Sequence, residues 1–150
     1  MKQNFNRRRL LKGMLAITAL ALAPLQLLAR NAPAFKATNS ADTLKALFGD
    51  KTVTESDMVK LKVPDIAENG AVVPVTVKTK MAGVKSINII VVENPNPLSA
   101  SFNLTPRMVA DISTRIKMGK SSDVLAAVET ADGVFVASKN VKVTIGGCGG

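Results

Sequence analysis

The side chains able to do chemistry in this sequence are few, and one stands apart. The chain of 150 residues contains a single cysteine and no histidine. Cys148 lies in the terminal run "TIGGCGG", with Gly146 and Gly147 before it and Gly149 and Gly150 after it. Without histidine there is no Ser-His-Asp or Cys-His catalysis, no usual zinc site and no haem ligation by imidazole. One cysteine allows neither an internal disulfide nor a cysteine metal cluster. In an oxidising compartment such a thiol pairs with another molecule or stays free and reactive. No cofactor and no metal is expected.

The setting of Cys148 limits what the thiol can do. Glycine carries no Cβ and enters positive φ freely, so Gly146 and Gly147 form a nearly unrestrained hinge. With the last strand expected to end near Ile145, three residues carry the thiol about 10 Å beyond it. Activated thiolates sit near a cation, a base or a helix N-terminus, and the adjacent sequence offers none. A tail of this kind holds no reacting geometry, so a nucleophile on it forfeits the advantage of positioning. The arrangement suits a covalent carrier, which bears a group while other enzymes react with it, better than an enzyme. Intermolecular disulfide linkage and an end without function remain open on the residues alone. A ubiquitin-like carrier using Gly149-Gly150 as a thiocarboxylate needs ATP, and the body shows no clear central helix.

The other terminus places the thiol in a compartment. "MKQNFNRRRLLKGMLAITALALAPLQLLARNAPAFKA" is a charged segment, an apolar stretch from Met14 to Ala29, then small residues, which is the layout of an export signal. The apolar stretch is short against the ~20 residues of a bilayer span, and Pro24 interrupts it. Arg7 and Arg8, followed by Leu10, Leu11 and Lys12, carry the twin-arginine pattern, an address rather than an anchor. Cleavage is expected near Ala34, after "APA". No cysteine follows the apolar stretch, so the lipoprotein route is closed. The expected organisation is an export signal over 1–34, a carrier domain over 35–145 and a GGCGG arm over 146–150, in a soluble periplasmic protein with no membrane partner.

The chain carries 20 basic and 11 acidic residues, a net charge of +9. Six of the basic residues (Lys2, Arg7, Arg8, Arg9, Lys12, Arg30) lie in the expected signal, which leaves 14 against 11, or +3. With no Trp or Tyr there are few rings for stacking bases, so a nucleic-acid partner is not expected. The remaining length suffices for one domain with a core.

The elements that must position the tail are mostly strands. Phe35 to Ser40 reads as a linker, and "ADTLKALFG" as a short helix capped by Ser40 and stopped by Gly49. From there the apolar period is two. Val59, Leu61 and Val63 alternate with lysines, and Val73, Val75 and Val77 alternate with Thr76 and Lys78. Asn69-Gly70 is a turn signal, "VKSINIIVVE" reads as a buried strand, and "NPNP" breaks it. Leu98, Ala100, Phe102 and Leu104 share one face. Met108 to Met118 alternates as a strand, with Arg115 and Lys117 on its polar side. The final segments form a hairpin about Asp132-Gly133. About seven short strands and almost no helix indicate an all-β, immunoglobulin-like antiparallel sandwich. Arg107, Arg115 and Lys117 are cations that would suit an anionic ligand or an acidic partner, or simply a solvated face, and are not taken as site residues.

The chain resembles the SoxY family, substrate carriers of periplasmic sulfur oxidation. The resemblance rests on "VPDIAENGAVVPV", "ENPNPLSASFNLTP", "STRIKM" and the terminal "VTIGGCGG". It implies that Cys148 is the covalent attachment point for thiosulfate-derived sulfur and that Gly146, Gly147, Gly149 and Gly150 give the arm reach and slimness. It implies partners too: a small SoxZ-type sandwich subunit forming a heterodimer, a c-type cytochrome that loads the thiol, and a hydrolase that releases sulfate. The carrier itself would catalyse none of these steps.

Overall fold

The computed structural model describes residues 31–144. Two helices come first, α1 (Ala32–Lys36) and α2 (Ser40–Phe48). The strands among the described residues are β1 (Val53–Glu55), β2 (Val59–Lys62), β3 (Ile66–Ala67), β4 (Val73–Thr79), β5 (Ser86–Val91), β6 (Leu98–Asn103), β7 (Asp111–Ile116), β8 (Ser122–Glu129) and β9 (Val134–Val143).

The period-two pattern builds two sheets. One has the order β2-β4-β7, and the other β1-β9-β8-β5-β6 with β3 also paired to β9. Because side chains alternate across a strand, Val59 on β2 and Val73, Val75 and Val77 on β4 all point to one face. They are buried against Ile87, Ile89, Val91, Val124, Ala126 and Val128 of the larger sheet. Burial of each such side chain contributes about 1.5–3 kcal/mol before entropy is counted.

A second apolar layer covers the other face of the larger sheet. Phe48 of α2 and Ala34 of α1 pack with Ile90, Leu98, Ala127, Val134 and Val136, and Leu44 and Leu47 flank them. This explains why β5 is buried at every residue. Its continuous apolar run is what a strand covered on both faces requires.

Several expectations are corrected. The stretch read as a linker contains the end of α1, with Asn31 as its cap. The cap of α2 is Asn39, whose side chain accepts from Asp42 N–H, and Ser40 is already helical. Asparagine is as good a cap as serine, so both positions carried the signal. Gly49 does end the helix, at a φ of 64° that favours glycine. The pairing is not purely antiparallel, since β1 and β3 run parallel to β9. Leu98 does not share a face with Ala100, Phe102 and Leu104. A register shift between Ile89 and Ile90 leaves Ser99 without a partner on β5 and turns Leu98 to the helix-covered side.

α1 crosses the expected processing point. Asn31 Oδ1 accepts from Ala34 N–H at 3.1 Å and Asn31 Nδ2 donates to the Ala46 carbonyl at 2.9 Å, while Ala34 is fully buried. Cleavage after Ala34 therefore removes a cap, a tie to α2 and a core methyl. The protein beginning at Asn31 should be more stable to urea than the protein beginning at Phe35 by about 1–3 kcal/mol. Equal midpoints would show that α1 contributes nothing to the body.

Candidate functional site

Cys148 and Gly146, Gly147, Gly149 and Gly150 lie outside the described residues, as do Arg7 and Arg8. What the structure describes is the root from which the C-terminal residues leave. β9 is bonded along both edges there. β8 holds one edge from Ser122↔Val141 to Glu129↔Val134. On the other, β1 pairs with Val134 to Val136 and β3 with Lys142 and Val143. Main-chain bonds run from Lys142 N–H to Asp65 C=O (2.9 Å) and from Thr144 N–H to Ala67 C=O (3.1 Å). Val143 N–H donates to Ser121 Oγ at 2.9 Å. Lys139 Nζ bonds the Val63 carbonyl at 3.1 Å and Asp65 Oδ1 at 2.9 Å, tying β9 to the segment that leads into β3.

The Asn69-Gly70 turn abuts this root. Asn69 Oδ1 accepts from Ala71 N–H and the Asn69 carbonyl from Val72 N–H, the self-bonding of an Asx-turn. Gly70 is needed for closeness: a Cβ there would lie 2.4 Å from Met118 O and 3.0 Å from Val143 Cγ1. Met118 N–H donates to the Gly70 carbonyl at 2.7 Å. The sequence marked Gly70 as a turn residue, while its reason is the approach of one backbone to another.

"NPNP" does more than break a strand. Asn94 Nδ2 donates to the Lys117 carbonyl at 2.7 Å, and Asn94 Oδ1 accepts from Gly119 N–H at 3.1 Å. One amide side chain thus pins the turn after β7. Glu93 N–H donates to Ser122 Oγ at 3.0 Å, and Glu93 pairs with Lys120 at 2.8 Å. Asn94, Ser121 and Ser122 are the residues that sequence reasoning missed at the root. Proline-flanked asparagines read as turn formers, and nothing in the spacing shows which distant carbonyl they reach.

The three cations noted in the sequence are not gathered in one place. Arg115 and Lys117 are exposed on and after β7, at the end near the root, whereas Arg107 precedes β7 at the opposite end. No group of three or more His, Cys, Asp or Glu side chains able to hold a metal occurs among the described residues. An open groove of about 670 Å³, lined by Met58, Met81, Val109 and Lys60 among others, lies at the far end of β4 and β7 from the root. The root itself is a framework of turns and main-chain bonds, suited to fixing where the tail begins.

A family model, described as sulfur oxidation protein SoxY, matches residues 44–148. The chain belongs to the SoxY family. The matched span begins within α2, takes in every described strand and ends at Cys148. Among solved structures, the sulfur carrier protein SoxY from Chlorobium limicola f thiosulfatophilum is 40% identical, with a TM-score of 0.64. The match covers 70% of this chain and 96% of that one. A superoxide reductase (neelaredoxin) from Ignicoccus hospitalis, 18% identical with a TM-score of 0.53, covers 58% of this chain and 80% of its own, and shares the fold alone. No curated protein matches.

Gly70→Ala should cost about 1–3 kcal/mol in urea unfolding, because the new methyl forces the Met118 and Gly70 backbones apart. Asn94→Ala should speed amide exchange at Gly119 while leaving amides in β5 protected. Unchanged exchange at Gly119 would mean that Asn94 does not hold the turn.

Proposed function

We propose that the protein is a periplasmic sulfur carrier that holds thiosulfate-derived groups on Cys148 and presents them to partner enzymes. The observation that carries the reading is membership of the SoxY family over a span that ends at the only cysteine of the chain. The related protein of Chlorobium limicola is itself a sulfur carrier protein. The lack of histidine supports a carrier over an enzyme.

The chemistry balances as follows. The Cys148 thiol and the outer sulfur of thiosulfate join by a disulfide bond, giving Cys–S–S–SO₃⁻, one proton and two electrons. A c-type cytochrome partner accepts the electrons. Water then cleaves the bond between sulfur and the sulfonate, releasing sulfate and leaving a persulfide on Cys148. The hydrolase that does this is a separate protein, as is the SoxZ-type sandwich subunit expected to form a heterodimer with the carrier.

Physical roles follow for the other residues. Cys148 lies four positions beyond Thr144, a reach of at most about 14 Å when extended. Gly146, Gly147, Gly149 and Gly150 keep this arm narrow, so one thiol can enter several active sites. Arg7 and Arg8 direct export through the twin-arginine route, and 1–34 is the signal. The body is read as an immunoglobulin-like sandwich, because β2-β4-β7 against β6-β5-β8-β9 follows strands A-B-E against C′-C-F-G.

Cys148→Ser should abolish thiosulfate oxidation in a reconstituted system of carrier, cytochrome and hydrolase, with the urea midpoint unchanged. Gly147→Pro, which stiffens the arm and retains the thiol, should slow turnover several-fold. Full activity in Cys148→Ser would refute the carrier reading and leave the thiol a cross-linking role.

A further inference from the structure

Five strands form the sheet edges among the described residues, and four of them are protected, β3 by having only two residues. β1 has three residues and β2 has four, two of them lysines. β6 carries the register shift opposite Ile89 and Ile90. Short length, lysine and bulges are the usual devices that keep an edge from pairing with another chain. β7 has none of these. It is six residues, Asp-Ile-Ser-Thr-Arg-Ile, in unbroken register with β4 and free on its other side.

The pairing to β4 tells which groups that free side presents. Thr79 N–H donates to the Ala110 carbonyl at 3.0 Å, and Met118 N–H donates to the Gly70 carbonyl. The even-numbered residues of this stretch therefore spend their main-chain groups on the β4 side. In an antiparallel ladder the alternate residues face outward, here Asp111, Ser113 and Arg115. Asp111 N–H turns back to the Val109 carbonyl at 2.9 Å, so that residue offers its carbonyl alone. All three side chains are exposed.

We propose that β7 is a self-complementary edge that pairs antiparallel with β7 of a second copy of this chain, centred on Ser113. In that register Ser113 meets its symmetry mate, and Arg115 N–H reaches the Asp111 carbonyl of the second copy, so every outward group except the Arg115 carbonyl, opposite the Asp111 N–H that is bound to Val109, finds a partner. The side chains agree with the backbone. Asp111 lies opposite Arg115 of the second copy on one face, twice by symmetry, and Ile112 lies opposite Thr114 on the other. Opposite charges directly across a ladder are stabilising, and like charges are destabilising. Arg115 has no ion pair among the described residues, and Asp111 has only the exposed pair with Lys78. The two small sheets become one continuous sheet. Thr144 lies near the Ile116 end of β7, so antiparallel pairing sends the two C-termini to opposite ends of the dimer. The proposal stands independently of the carrier reading.

Sedimentation equilibrium of the protein in a phosphine reductant, which removes any Cys148 disulfide, tests it. The native chain should dimerise. Arg115→Asp places carboxylates opposite each other and should weaken the dimer by at least about tenfold. The full reversal Lys78→Glu/Asp111→Arg/Arg115→Asp keeps both the internal pair and the cross-copy pair with signs exchanged, and should restore association. A native chain that stays monomeric at high micromolar concentration, an Arg115→Asp dimer as tight as the native one, or a reversal that fails to restore it would each overturn the proposal. Thermal unfolding of each variant separates lost pairing from lost folding.

Discussion

The last strand of the body is hydrogen-bonded along both of its edges, and the C-terminal end of the molecule depends on that. A terminal strand on a sheet edge frays, because its groups have one neighbour to hold them. β9 has β8 on one side and, on the other, β1 at its beginning and β3 at its end. The pairing continues to Thr144, whose N–H is bound to the Ala67 carbonyl. The two-residue strand β3 has little claim to independent stability. It exists because Gly70 brings its segment against Met118 and Val143 more closely than any side chain would permit, and because Lys139 ties Asp65 and Val63 to β9. This framework holds the chain in place as far as Thr144, the last described residue.

The same economy governs the interior. The larger sheet is covered by the smaller sheet on one face and by α1 and α2 on the other, so β5 is buried at every residue. Two polar side chains are buried on that strand, Ser86 and Asn88, and Asn88 is the deeper of them. It bonds Ser86 Oγ through Nδ2, and its Oδ1 has no partner among the described residues. The other buried side-chain polar atoms among the described residues have hydrogen-bond partners.

Much of this was legible from the residues. The alternation of Val73, Val75 and Val77 and of Val59 and Leu61 gave their faces correctly, because period two is a direct consequence of strand geometry. The hairpin at Asp132-Gly133 was legible because Gly133 must supply its unusual φ of 154°. What escaped was long-range. The bulge at Ser99 has no local signature, so Leu98 was placed with Ala100. The parallel strands β1 and β3 are too short to show a period, and Asn94 reaches Lys117 and Gly119 across 23 and 25 residues. The candidate site divided in the same way. Cys148 was conspicuous by type and position, whereas the residues that hold its root announce themselves only through their distant partners.

The central claim is that sulfur is carried covalently on Cys148. The most direct measurement is the intact mass of the mature protein recovered from cells oxidising thiosulfate, with and without dithiothreitol. A carrier role predicts added mass that maps to Cys148, corresponds to sulfane sulfur or to S–SO₃, and disappears on reduction. A bare thiol under those conditions, or a disulfide-linked pair of chains as the only modified form, would contradict it.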